Sequence, residues 1–197
     1  MFTHMLTQIP QPVPSPFRAD ILGSHALYCD GGVILRNPST LGGTWAVRHV
    51  VDGHVIQEAG GTITPVQMCA AEVTNNQTEL LALVRGLEML PSDWTGTVYS
   101  DSECTLGRAF LGWKWNNIPL WLHHRYQAAR ARLIHWTSEP PIRFVLLDGH
   151  PTRAQLAAGK GKRGRPVSEH QAWCDRRCQE EARQFMAAAP GHPGRRA

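Results

Sequence analysis

The chain has 197 residues, of which 42% are hydrophobic, and its formal net charge is +4 at pH 7. This length fits a single domain with one sizeable core, and no apolar run reaches the roughly 18–20 residues that span a bilayer. The N-terminus has no basic stretch followed by an apolar one, so we expect no secretory signal and a cytoplasmic protein. The positive charge favours a polyanionic partner, because neutralising phosphates releases counterions.

The two ends of the chain differ in composition from the rest. Residues 1–20 are rich in proline, glutamine and serine and have no periodic apolar pattern, which predicts a flexible leader. Residues 188–197 predict a flexible basic tail. We expect residues 21–187 between them to form the folded domain.

Three strands are predicted before the first long helix. Residues 26–30 form a short apolar run that ends in an acid. Residues 44–51 and 54–63 flank Asp52-Gly53, a dipeptide that favours a tight hairpin turn. The pattern therefore begins with a strand followed by a β-hairpin.

A helix is predicted over residues 74–90, where apolar side chains recur at helical spacing. Thr74 with Gln77 three residues later fits a capping box. The helix should therefore begin at the turn formed by Asn75 and Asn76.

The second half of the chain alternates strands and helices. The predicted strands are 96–101 and 142–147, and the predicted helices are 102–111, 121–136 and 169–186. A loop rich in glycine, lysine and arginine separates the last strand from the last helix. This order indicates a mixed sheet with helices packed on it.

Four carboxylates lie at the ends or first turns of these elements. Asp30 and Asp101 end two strands of one sheet, Glu79 lies early in a helix that would pack over those ends, and Asp175 lies on the last helix. Singly, each acid is explained by solvation, a helix cap or the helix dipole. Together, like charges this close require cations or a shared proton, and hard oxygen ligands suit Mg²⁺ or Mn²⁺.

Five motifs then resemble those of the type 1 ribonuclease H family, over roughly residues 25–185. In chain order they are YCDGG, TNNQTELLAL, YSDSE, LLDGH and WCDRRCQEEA. The resemblance implies the ribonuclease H-like α/β fold, with a central five-stranded mixed sheet and helices packed on both faces. It also implies a monomeric endonuclease that hydrolyses the RNA strand of RNA–DNA hybrids by a two-metal-ion mechanism.

The same resemblance implies roles for individual residues. The carboxylates that would bind two Mg²⁺ ions, with Mn²⁺ as a possible substitute, are Asp30, Glu79, Asp101 and Asp175. His150 would be the mobile histidine that assists proton handling or product release. The residues that would contact the hybrid are Asn37, Thr74, Asn75 and Asn76.

Two features depart from the family pattern. Glu103 follows the Asp101-Ser102 pair, where many members carry a neutral amide that touches the hybrid, so that contact is in doubt. The stretch between His150 and Asp175 is longer than usual and holds the basic loop 159–166. That loop is either solvated or in contact with phosphates, and the sequence leaves both interpretations open.

The last predicted helix carries a second pattern that has two interpretations. His170, Cys174 and Cys178 recur at i, i+4 and i+8, which fits either a metal site or packed, reduced thiols.

The function itself has competing hypotheses. Hybrid cleavage competes with a catalytically inactive hybrid-binding module and with a related nuclease acting on DNA junctions or structured RNA. An intact set of four acids favours the enzyme, since a binding module has no reason to concentrate negative charge beside phosphate.

Overall fold

The computed structural model describes residues 25–136 and 142–188. Its strands are β1 (His25–Val33), β2 (Gly43–Val51), β3 (His54–Ile63), β4 (Gly96–Ser100) and β5 (Arg143–Leu146). Its helices are α1 (Pro65–Met68), α2 (Asn75–Met89), α3 (Glu103–Phe110), α4 (Leu120–Arg132), α5 (Arg153–Ala158) and α6 (Glu169–Ala188). The predicted leader 1–20 lies outside the described residues, as does the predicted tail beyond Ala188, which ends α6.

The five strands form one mixed sheet in the order β3-β2-β1-β4-β5. The first three strands pair antiparallel, whereas β4 is parallel to both β1 and β5. At the tip of the β2–β3 hairpin, Asp52 and Gly53 have φ values of 51° and 78°, the left-handed conformations that a tight hairpin turn requires. The five-stranded mixed sheet predicted from the sequence is confirmed.

Helices cover both faces of this sheet, because side chains alternate along each strand. Leu27 and Cys29 of β1 lie in the core cluster that contains the apolar face of α2. Ala26 and Tyr28 point the other way, into a cluster completed by α6. The prediction of helices on both faces is therefore confirmed, and β1 is the strand buried between the two layers.

The start of α2 is as the sequence predicts. Thr74 is the N-cap residue, and its backbone N–H donates to the side-chain oxygen of Gln77 at 3.0 Å. The first turn of α2 lies directly against Gly31 of β1, because a Cβ added at Gly31 would collide with the backbone of Thr78 and Glu79. A glycine at position 31 thus allows the helix to approach the strand at backbone distance.

Two predicted boundaries were wrong. Strand β1 continues past Asp30 to Val33, because the glycines after Asp30 extend its antiparallel ladder with β2. The helix predicted over 121–136 ends at Arg132. Leu133 is extended, with φ −88° and ψ 108°, and a 3-10 turn at Ile134–Trp136 follows.

The segment predicted as a loop between the last strand and the last helix is instead structured. It contains α5, whose N-cap Thr152 accepts a hydrogen bond from the backbone N–H of Gln155. A tight hairpin follows, closed by a bridge between Lys160 and Pro166. Along residues 25–136 and 142–188, no helix combines the length and apolar character needed to cross a bilayer.

We expect Gly31→Ala to destabilise the fold by about 1–3 kcal/mol, the usual cost of overpacking a close contact. Urea unfolding would measure the loss. Gly32→Ala is the matched control, since its nearest contact would be the Thr44 hydroxyl at 3.2 Å, which can shift. If both variants lost the same free energy of unfolding, the close backbone contact at Gly31 would not be what makes that position sensitive.

Candidate active site

The parallel pairing of β1 and β4 brings Asp30 and Asp101 to the same edge of the sheet. The ladder between these strands ends at Tyr28 and Tyr99, so Asp30 lies two residues beyond it and Asp101 directly follows β4. Asp30 is 9% exposed and Asp101 is half-buried. The two carboxylates that the sequence assigned to strand ends are therefore neighbours, although β1 itself continues.

Glu79 joins them through the contact between α2 and Gly31. The Glu79 backbone nitrogen lies where a Cβ of Gly31 would be, so Glu79 lies one helical turn into α2, directly against β1. Ser102 is the N-cap residue of α3, where its hydroxyl donates to Oγ1 of Thr105 at 3.1 Å and accepts from the Thr105 N–H at 3.3 Å. Ser102 is thus a capping and supporting residue, in agreement with the absence of any paired base in the sequence.

The fourth carboxylate, Asp175, comes from α6 on the opposite face of the sheet. One of its oxygens is 3.1 Å from Nδ1 of His150, and the other accepts a hydrogen bond from Gln179 at 3.0 Å. The His150 side chain is 75% exposed, whereas that of Asp175 is 22% exposed. The structure therefore brings His150 to the acid cluster while leaving the imidazole accessible to solvent.

A residue that sequence reasoning missed connects these elements. Gln171 is buried, and its Nε2 donates to the carbonyl oxygen of Cys29 and to Oδ1 of Asp101, both at 3.1 Å. It therefore ties α6 to β1 and to the end of β4. The signal available in the sequence was its spacing, since Gln171 precedes Asp175 by four residues and shares its helix face.

Burial and mutual repulsion disfavour the charged forms of these acids. Burial raises the pKa of Asp30 well above its usual range, and the charges of the three other carboxylates raise it further. Burial raises the pKa of Glu79 to about 7. The pKa of Asp101 is raised as well, again mainly by burial. These three acids therefore bind protons more tightly than isolated carboxylic acids do, and a bound cation would oppose that effect.

The donor set fits a hard divalent cation, because all four side chains offer carboxylate oxygens. Oε2 of Glu79 is buried and has no hydrogen-bond partner among the described residues, which is costly unless another ligand satisfies it. Even so, in the described part of the chain no three acidic, histidine or cysteine side chains stand in the arrangement of a metal-binding cluster.

Three of the four carboxylates are engaged in hydrogen bonds with protein donors rather than oriented toward a common ligand. Oδ1 of Asp30 accepts from the N–H of Gly31 at 2.9 Å, while Asp101 accepts from Gln171 and Asp175 from Gln179. These carboxylates would have to exchange protein donors for a cation by side-chain rotation. Their charges already act on one another, since those of Asp101, Glu79 and Asp175 all raise the pKa of Asp30.

Three of the residues expected to contact substrate, Thr74, Asn75 and Asn76, lie at the start of α2 before Glu79, and Asn37 lies in the loop after β1. Oδ1 of Asn37 accepts from the backbone N–H of Asn75 at 3.2 Å, which fixes the loop after β1 against the helix N-terminus. Asn37 and Asn76 are exposed, and Thr74 and Asn75 are half-buried. The structure thus gathers these residues on one side of the acid cluster.

The cysteine and histidine pattern on α6 does not form a cluster of metal ligands in the described structure. Cys174 and Cys178 are buried in the core cluster beneath α6, where burial raises the pKa of both thiols. The Sγ of Cys178 donates to the carbonyl oxygen of Asp30 at 3.4 Å. These contacts favour the interpretation as packed, protonated thiols.

No protein-family model matches this sequence. A curated relative, a ribonuclease H from Syntrophus aciditrophicus (strain SB), is 35% identical to the chain over 83 residues. That match covers 39% of this chain and 48% of the relative, so the chain spans about half the length of the curated relative it matches.

Solved structures share the fold at low sequence identity. The N-terminal RNase H domain of a Mycobacterium tuberculosis protein, solved as a fusion with maltose-binding protein, is 19% identical with a TM-score of 0.55. The match covers 84% of this chain and 98% of that domain. RNase H1 from Halobacterium salinarum is 21% identical with a TM-score of 0.53, covering 81% and 98%. With the observed strand order, these likenesses show that the chain has a ribonuclease H-like fold.

Proposed function

We propose that this protein is an endonuclease that hydrolyses the RNA strand of RNA–DNA hybrids with the help of two Mg²⁺ ions. The observation that carries the proposal is that four carboxylates, from β1, α2, β4 and α6, lie close enough for the charges of the other three to raise the pKa of buried Asp30. Burying like charges has no structural benefit, since burial disfavours the charged form of each acid. A site that binds cations explains it.

The residues that would hold the ions are Asp30, Glu79, Asp101 and Asp175, with Mn²⁺ as a possible substitute for Mg²⁺. When bound, such a pair of ions activates water for attack on a phosphodiester and stabilises the charge that develops on the leaving oxygen. The chain contributes the oxygen ligands and their fixed backbone positions. Gln171 keeps Asp101 oriented through its hydrogen bond to Oδ1.

His150 is suited to holding a proton near this point. It follows β5 at the same edge of the sheet, contacts Asp175 at 3.1 Å, and is largely exposed. Because the imidazole is accessible, it can receive a proton from water or pass one to a departing oxygen. This supports the role of a mobile histidine in proton handling or product release.

Recognition of the hybrid would come from the polar residues at the start of α2. Asn37, Asn75 and Asn76 carry amides that can donate to and accept from 2′-hydroxyls and base edges, and the 2′-OH distinguishes RNA from DNA. Thr74 would supply a hydroxyl contact to a phosphate of the DNA strand. The contact between Asn37 and the N–H of Asn75 supports their acting as one surface.

The direct test is cleavage of four matched, labelled substrates, which are an RNA–DNA hybrid, double-stranded RNA, double-stranded DNA and single-stranded RNA. We expect Mg²⁺-dependent cutting of the RNA strand of the hybrid alone, abolished by EDTA. Hybrid binding without cutting in any metal would indicate a binding module instead. Cutting of DNA would indicate a nuclease for DNA junctions.

Asp101→Asn should lower the rate of hybrid cleavage by more than about 100-fold, because removing residues that merely support metal ligands already costs about 10–100-fold. Hybrid binding should persist or tighten, since one charge that repels phosphate is removed. Asp52→Asn, at the exposed tip of the β2–β3 hairpin, is the control for loss of one negative charge. Full activity of Asp101→Asn would refute the assignment of the acids.

The raised pKa values predict how stability depends on pH when metal is absent. Glu79 binds its proton more tightly in the folded protein, where its pKa is about 7 rather than 4.5, so the folded state retains protons that the unfolded state has released. The free energy of unfolding in EDTA should therefore fall as pH rises between these values. Glu79→Gln should flatten this slope.

Mg²⁺ should reverse that trend, because it binds the ionised carboxylates and stabilises the folded state. We expect the increase in melting temperature on adding Mg²⁺ to be larger at pH 8 than at pH 5. The readout requires no substrate. An increase that is the same at both pH values would contradict cation binding by these acids.

A further inference from the structure

The segment 151–166, between His150 and α6, is strongly basic and has no acidic residue. Its cationic side chains are Arg153, Lys160, Lys162, Arg163 and Arg165. Among the described residues, only Arg165 of these five makes an ion pair, with Glu103 at 3.6 Å. Four cations are therefore presented to solvent on one short segment.

This segment has a defined conformation. Gly161 donates its N–H to the carbonyl oxygen of Arg165 at 2.9 Å, and Gly164 donates to that of Gly161 at 3.1 Å. A buried carboxylate, Asp148, anchors the hairpin by accepting from the backbone N–H of Arg163 at 2.6 Å. The side chains of Lys162 and Arg163 are thus held on an ordered turn, which lowers the entropic cost of binding through them.

The anchor lies beside the acid cluster. The N–H of Leu147, directly before Asp148, donates to the carbonyl oxygen of Ser100 at 2.9 Å, so the hairpin starts next to the end of β4. Gly149 packs so tightly on the Asp101 carboxylate that a Cβ there would collide with it. The ion pair of Arg165 with Glu103 ties the far side of the hairpin to the first turn of α3.

The two flanks of the cluster therefore differ. The amides at Asn37 and Asn76 lie on the side of β1 and α2, whereas the basic hairpin lies on the side of β4 and β5. A nucleic acid bound over the acid cluster would meet amide side chains, which can recognise bases, on one flank and cationic side chains on the other. Glu103 does not face phosphate unpaired, because Arg165 partly neutralises it.

We propose that residues 159–166 form a second substrate-binding surface that contacts backbone phosphates flanking the cleaved position. This second proposal rests on the proposed function, because it specifies where the nucleic acid contacts the protein beyond the acid cluster. Cations here also offset the repulsion between the four acids and the phosphates. Lys162 and Arg163, both exposed, are the residues assigned to phosphate contact.

The test is the salt dependence of hybrid binding, measured in EDTA so that the substrate stays intact, for Lys162→Gln, Arg163→Gln and the double variant. The slope of log Kobs against log[salt] should decrease in magnitude by about 0.9 for each phosphate that is no longer neutralised, the value known for duplex DNA. Arg143→Gln is the matched control, because Arg143 is exposed and starts β5 at the opposite end from Asp148.

Cleavage of the same hybrid in Mg²⁺ separates the two proposals. Wild-type cleavage together with unchanged slopes in all variants, or with equal changes in Arg163→Gln and Arg143→Gln, would overturn the phosphate surface and leave the nuclease proposal standing. Slopes reduced only in the hairpin variants would support the surface, even if the wild type bound the hybrid without cutting it.

Discussion

The approach of α2 to Gly31 is the contact on which the rest of the site depends. Side chains ordinarily hold a helix and the sheet beneath it apart. Here the backbone of Thr78 and Glu79 meets the strand where a Cβ would otherwise be. Gly43 on β2 completes this space, since a Cβ there would collide with the methyl group of Thr78. The charge of Glu79 therefore lies close enough to Asp30 to raise its pKa.

Because α2 packs so close to β1, the carboxylates lie near one another and their negative charges repel. Desolvation is the largest contribution to the raised pKa values of Asp30, Glu79 and Asp101. The two core clusters on either face of β1 must supply the free energy that holds these groups together. The core thus offsets the free-energy cost of burying these carboxylates, a cost that the proposed cations would reduce.

The surroundings of the cluster assign different tasks to its two flanks. Near α2, short amide side chains are fixed by backbone contacts such as that of Asn37 with Asn75. Near β5, long cationic side chains project from an anchored hairpin. Short amides suit recognition of base edges and hydroxyls, and long cationic side chains suit phosphates of any sequence. Under the proposed function, recognition of bases and 2′-hydroxyls and binding of backbone phosphates would therefore fall to different flanks.

The sequence by itself determined the order of the five strands and the four longer helices, the hairpin at Asp52-Gly53 and the start of α2, because periodicity and turn chemistry act over a few neighbouring residues. It missed the short helices α1 and α5. It also indicated the four acids, through their positions in the order of elements. The role of Gln171, the continuation of β1 beyond Asp30 and the anchor at Asp148 were decided only by the tertiary structure. Each depends on a hydrogen bond or ladder contact with a segment distant in the chain, and local pattern carries no information about such partners.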